Sequence, residues 1–184
     1  MSVKMDLVLN HLDKEGNVKS TFTKPCDSFN YNFMRFLCNS IGAGVYNNVI
    51  DTSNTARGIN HGGRLDIITT AGVTTTGIRV GTVGTVAAPA DYMLTGLIAN
   101  GLGDGLLAYG GVIAPTVDVI GSTIRLHIKR TFINAGSTAI TVREIDLVGD
   151  AGGYAVEYLR DNIADQIIPS LDGVAIEIII QVTV

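Results

Sequence analysis

Three histidines, two cysteines and scattered carboxylates are the side chains here with catalytic or ligating chemistry. A nucleophile needs a base beside it. The chain has no G-x-S-x-G turn, and neither Cys26 nor Cys38 has a histidine near it in sequence. A metal site would draw on His11, His61 and His127, yet no H-x-x-x-H or H-E-x-x-H spacing occurs. His61-Gly62-Gly63-Arg64-Leu65-Asp66 is the most ligand-like cluster, and it reads as a polar loop entering a strand. Gly101-Leu102-Gly103-Asp104-Gly105 has the glycines of a phosphate cradle, but no lysine follows and Asp104 would repel the anion. Glu144/Asp146 and Asp161/Asp165 read as a solvated face or turn acids rather than a glycosidase pair. No catalytic residue, metal or cofactor is assigned.

What remains is surface chemistry. Arg125, His127 and Lys129 alternate with Ile124, Leu126 and Ile128, the period of a strand with one face in a core and one in water. Nucleic-acid binding wants a basic patch with stacking aromatics. Here the patch is thin, Phe132 shares the apolar parity and the net charge is −4, so no specific nucleic-acid partner is expected. Residues 144–184 carry one basic and eight acidic side chains. That acidic quarter either pairs with the basic strip across a sheet, as antiparallel neighbours do, or meets the basic strip of another copy. Arg125, His127, Lys129, Glu144, Asp146 and Tyr109 are the candidate partner contacts.

These residues need strands to position them. Residues 125–148 read as a β-hairpin, with Asn134-Ala135-Gly136-Ser137 as its turn. The apolar phase slips from Ile140 and Val142 to Ile145 and Leu147, and a β-bulge at Arg143-Glu144 would return both pairs to one face. Further strands are expected at 3–11, 17–23, 64–69, 76–83, 106–113, 153–160 and 173–184. The last carries Val174, Ile176, Ile178, Ile180, Val182 and Val184 on one face, so it must be central or covered. Phe29, Phe33, Phe36, Leu37 and Ile41 follow the spacing of an amphipathic helix, with Asp27 or Ser28 as N-cap and Gly42 as its end. Across that helix, Cys26 and Cys38 would stand roughly 18 Å apart, beyond disulfide reach, so two free thiols are expected. Residues 42–62 read as a long loop or exposed arm, and Asp91 to Asn100 as a short helix. The loops 42–62 and 96–111 are expected to contact partners.

Composition points the same way. Charged residues are 16% of the chain and hydrophobic residues 46%. So little charge fits a subunit whose surface is hidden by neighbours. No run of about 18 apolar residues exists, so no spanning helix is expected. The N-terminus lacks a signal-peptide core, and synthesis in the cytoplasm is expected. The 184 residues are read as one domain, with 24–62 as helix plus extended loop or arm.

One resemblance covers roughly residues 76–184. Asp91, Tyr92 and Leu94 form an Asp-Tyr-x-Leu step. Arg130, Phe132, Asn134, Ile140, Val142, Glu144, Ile145 and Leu147 form an R-x-F-x-N … V-x-E-(aliphatic)-x-L strand and turn, followed by Arg160-Asp161 and the apolar terminal strand. This pattern resembles a group of tailed-bacteriophage virion proteins, including decoration, neck and tail-associated subunits. Tail-collar and fibre N-terminal domains share the E-(aliphatic)-x-L step, but usually carry Gly where Asp146 stands. The resemblance implies a non-enzymatic virion protein, made in the host cytoplasm and present in many copies. Its implied partners are copies of itself and capsid, portal or tail proteins. The expected fold is mainly β: an antiparallel, jelly-roll-like β-sandwich with one N-terminal amphipathic helix. A carbohydrate or host-receptor binding module, and a hydrolase with a site hidden from the sequence, are the alternatives.

Overall fold

A computed structural model describes residues 2–26, 29–35, 46–59 and 66–183. The protein is mainly β, and its strand pairing is antiparallel throughout the described ladders. The strands in chain order are β1 (Ser2–Leu12), β2 (Val18–Pro25), β3 (Tyr46–Ile50), β4 (Ala56–Ile59), β5 (Gly77–Gly81) and β6 (Ala108–Tyr109). Then come β7 (Thr116–Ile120), β8 (Thr123–Ile133), β9 (Ile140–Asp150), β10 (Ala155–Ile168) and β11 (Gly173–Thr183). A six-stranded sheet runs β2-β1-β11-β8, with β6 and β7 both on the far edge of β8. A three-stranded sheet runs β10-β9-β5, and β3 and β4 form a two-stranded sheet among the described residues.

The alternation in β11 has the consequence its sequence demands. Val174, Ile176 and Ile178 are buried, and β11 lies between β1 and β8. Met5, Leu7 and Leu9 from β1, and Ile128 and Phe132 from β8, share that core with Ile78, Val80, Ile145, Leu147 and Leu159 of the small sheet. Ile140 and Val142 join it too, although they have the opposite strand parity to Ile145 and Leu147. The β10–β9 ladder shifts register between Asn162 and Gln166, opposite Glu144 and Val142. The irregularity thus falls where the apolar phase slips, with the extra residues on β10.

The expected 125–148 hairpin is not formed. β8 pairs with β11, β6 and β7, whereas β9 pairs with β10 and β5. Alternation shows which face of a strand is apolar but not which strand it pairs with. The Asn134–Ser137 turn instead carries the chain from one sheet to the other. Fully buried Asn134 donates from Nδ2 to the carbonyls of Thr138 (2.8 Å), Ile168 (3.0 Å) and Pro169 (3.1 Å). Asp104 accepts from the Ser137 amide and hydroxyl on the outside of the turn.

Helix is confined to residues 31–35 among the described residues. Phe29 and Phe33 stack there at 4.1 Å between ring centroids, while Phe36, Leu37, Ile41 and the capping candidates Asp27, Ser28 and Gly42 lie outside the described residues. The separation argued for the cysteines rested on that helix; Cys26 is buried, and Cys38 lies outside the described residues. Within 42–62, the β3–β4 hairpin replaces part of the expected loop. Residues 91–100 form bends and bridges, not a helix, and the 106–113 strand shrinks to β6. Among the described residues, no helix is long and apolar enough to cross a membrane.

Candidate functional site

The basic strip faces outward on β8 and is paired within its own sheet. Arg125 donates from Nε and Nη2 to both oxygens of Asp118 on β7, each at 3.0 Å. His127 Nδ1 lies 2.5 Å from Glu177 on β11, and Nε2 lies 3.4 Å from Asp118. Lys129 Nζ lies 3.1 Å from Glu177. Strands β7, β8 and β11 are adjacent, so opposite charges meet across the ladder. Of the two readings of the charge asymmetry, pairing across one sheet accounts for these residues.

The other three candidates point inward. Tyr109, Glu144 and Asp146 have 3%, 0% and 0% exposure, so none presents a surface to a partner. Tyr109 packs edge-on against Phe132, and its hydroxyl donates to the Ile98 carbonyl at 2.7 Å. Burial pushes that phenol up to about 12.

Glu144 and Asp146 belong to a closed ionic cluster on the second face of the small sheet. Asp146 on β9 accepts from Arg79 directly across on β5, with Nε 3.0 Å from Oδ1. Glu144 accepts from Arg160 of β10, with Nη2 2.7 Å from Oε2. Arg160 also reaches Asp91 at 2.8 Å, Thr95 Oγ1 at 3.0 Å and Thr85 Oγ1. The Gly96 amide donates to the other Glu144 oxygen at 3.0 Å. Segment 82–96 is thereby fastened over the sheet. Gly81 is required at its root, because a Cβ there would lie 2.4 Å from Glu144 Oε1.

Glu157 completes the cluster. It is fully buried, and burial together with neighbouring Asp146 pushes its carboxyl up to about 9. The folded state therefore holds a proton that the unfolded chain releases above about pH 4.5. The stability tied to that proton is fully present below the unfolded value and is lost as pH rises through the folded one. Denaturation midpoints should fall between about pH 4.5 and 9 in the native protein. In Glu157→Gln, which cannot ionise, the fall should be much shallower. An equal slope in both proteins would rule this group out as its source.

The remaining motif residues are also structural ties. Arg130, 1% exposed, donates to the carbonyls of Gly110 (2.8 Å), Thr76 (3.0 Å), Ile78 (2.9 Å) and Val73. Its charge lies over the Tyr109 ring at 4.8 Å, and burial brings its guanidinium down to about 10. Leu94 is buried, and the Asp161 carboxylate is reached by Lys24 at 2.7 Å. Of the histidines, His11 bonds Gln166 at 2.9 Å, and His61 lies outside the described residues.

The surface feature missed by sequence reasoning is apolar. The core-facing side of the six-stranded sheet continues past the part that is covered. One row across it, set by ladder register, is Val3, Val182, Ile124 and Val119. The next is Met5, Ile180, Leu126 and Val117. The row after that, Leu7, Ile178 and Ile128, is fully buried. Exposure rises to 55% at Val3, 46% at Ile124, 64% at Val119 and 63% at Val117. The signal lay in the sequence as Val117 and Val119, two residues apart in a segment not read as a strand.

Comparison of the chain with protein-family models, curated proteins and solved structures gave no match.

Proposed function

We propose that this chain is a non-enzymatic structural subunit that assembles in many copies on a bacteriophage particle, as capsid decoration or as a neck or tail component. The observation that carries the assembly reading is the apolar sheet end at Val3, Val182, Ile124, Val119 and Val117. Singly scattered apolar side chains are ordinary on a soluble surface, whereas contiguous exposed apolar rows mark interaction sites. The virion setting rests on the resemblance over residues 76–184. The residues carrying it (Arg130, Phe132, Asn134, Glu144 and Arg160) are buried ties that serve a rigid scaffold. The shared core of the two larger sheets supports reading the fold as a β-sandwich of jelly-roll type. Copies of the chain and other virion proteins are the proposed partners. The glycan-binding alternative loses Tyr109, whose ring is inside.

Gradient fractionation of particles, with mass spectrometry of the purified band, tests the virion reading. The chain should band with the particles at a stoichiometry of many copies. Its confinement to the soluble fraction would overturn this reading.

A further inference from the structure

The two outer strands of the six-stranded sheet are guarded unequally. Among the described residues β2 pairs with β1 alone, and it carries Lys19, Lys24 and Pro25, residue types that discourage a further strand. At the opposite edge β7 pairs with β8 alone. It reads Thr-Val-Asp-Val-Ile, β-branched at every position but one, with no lysine or proline. Val117, Val119 and Ile120 are all exposed. Its one charge, Asp118, is drawn back toward Arg125 at 3.0 Å. Alternate residues of a strand direct their N–H and C=O groups to opposite sides. Half of the main-chain groups of β7 therefore face away from β8, and none of these has a main-chain partner among the described residues.

The sequence of β7 fits a second copy of itself. Under a twofold axis normal to the sheet, two β7 strands meet antiparallel. Opposed residues then point to the same face only when one residue lies on the axis. With Val117 on the axis, Thr116 stands opposite the partner's Asp118, and its hydroxyl can donate to that carboxylate. The outward row reads Arg125, Asp118, the partner's Thr116, the partner's His127. On the inward face Val117 meets the partner's Val117 and continues the exposed apolar rows. An axis at Asp118 would instead set two carboxylates face to face. An axis at Val119 would place Asp118 against Ile120, and Val117 against Gly121, where the chain turns at φ 59°. The edge is also clear along its length. With Val117 on the axis, the partner's Gly121 falls level with Ile113. The partner's chain thus turns into its own β8 before it reaches β6, which pairs with β8 at Phe132 and Ile133.

We propose that β7 of one copy pairs antiparallel with β7 of a second, with Val117 on the twofold axis, joining two six-stranded sheets edge to edge in a dimer. This deepens the assembly reading above and rests on it. The contact is isologous, so it closes both open edges at once. It leaves the apolar row at Val3 and Val182 free for further contacts. A second copy is the occupant because one strand supplies both sides of the match: the Thr116 hydroxyl meets the Asp118 carboxylate twice, and the apolar faces coincide.

Cysteine crosslinking of the full chain tests the register, with circular dichroism to confirm folding. Directly opposed residues of antiparallel strands have Cα atoms about 4.5–5.5 Å apart, within disulfide reach. Mild oxidation should therefore convert most of Val117→Cys to a covalent two-chain species. Val119→Cys, equally exposed, should not crosslink, because its two copies would lie roughly 14 Å apart. The native protein, which carries Cys26 and Cys38, is the control. In sedimentation velocity, Thr116→Asp should weaken dimerisation roughly tenfold, since it sets two like-charge pairs in each dimer. Thr116→Lys, opposite the same carboxylate, should tighten it. If the native protein assembles but Val117→Cys does not crosslink, or crosslinks no better than Val119→Cys, this pairing is wrong while the assembly reading stands. Association unmoved by Thr116→Asp has the same meaning and places the contact on another surface. A native protein that stays monomeric throughout overturns both.

Discussion

Arg160→Ala is expected to destabilise the protein by about 3–5 kcal/mol, the cost of removing one partner from a buried ion pair. Arg160 is 5% exposed and joins Glu144 on β9 to Asp91, Thr85 and Thr95 of segment 82–96. Alanine would strand the Glu144 carboxylate, which has no exposure and, among the described residues, keeps only the Gly96 amide as donor. It would also unfasten the segment that covers the small sheet. Arg160→Lys should recover only part of the loss, since one ammonium cannot span the same fork of acceptors. Urea unfolding measures the change. A loss below about 1 kcal/mol would place this pair with solvent-screened surface contacts instead.

Deleting Ile178–Val184 should abolish folding. Ile178 to Thr183 form the outer half of β11, which is the only strand between β1 and β8 in the described sheet. Their loss unpairs Ser2–Leu7 on one side and Thr123–Ile128 on the other. It also removes Ile178 and Ile180 from the core and leaves two long apolar edges open, the usual route to aggregation. The truncated chain should be insoluble or lack cooperative unfolding. A soluble truncation with the native unfolding midpoint would mean that this strand is dispensable.

How much of this was legible varies by element. Strands β1, β8, β9 and β11 were legible through alternation, which sends one apolar set of each into the core, whereas β2 and β5 were read from their place between turn segments. β7 was missed because Val117 and Val119 are its only regular apolar pair and neither is buried. Pairing was not legible: β8 and β9 share a core yet belong to different sheets, and the fully buried Asn134 at their junction reads in sequence as ordinary turn chemistry. Glu144 and Asp146 were misplaced for a related reason. They alternate with Ile145 and Leu147, which usually indicates a solvent face. The small sheet is instead covered on both sides, and a carboxylate on the second side survives only with a buried arginine opposite. The presence of Arg79 and Arg160 within apolar strand segments was the available clue. Conversely, period and charge placed Arg125, His127 and Lys129 on one outward face but left open whether their partners lay in the same sheet or in another copy, and Asp118 lay in a segment not read as a strand.

Self-assembly of the chain is the central expectation. Sedimentation velocity of the native protein over a wide concentration range tests it most directly. The uncovered apolar sheet end predicts species well above the 19.4 kDa of one chain, growing with concentration and lost in Val119→Asp. A single 19.4 kDa species at every concentration would rule self-assembly out.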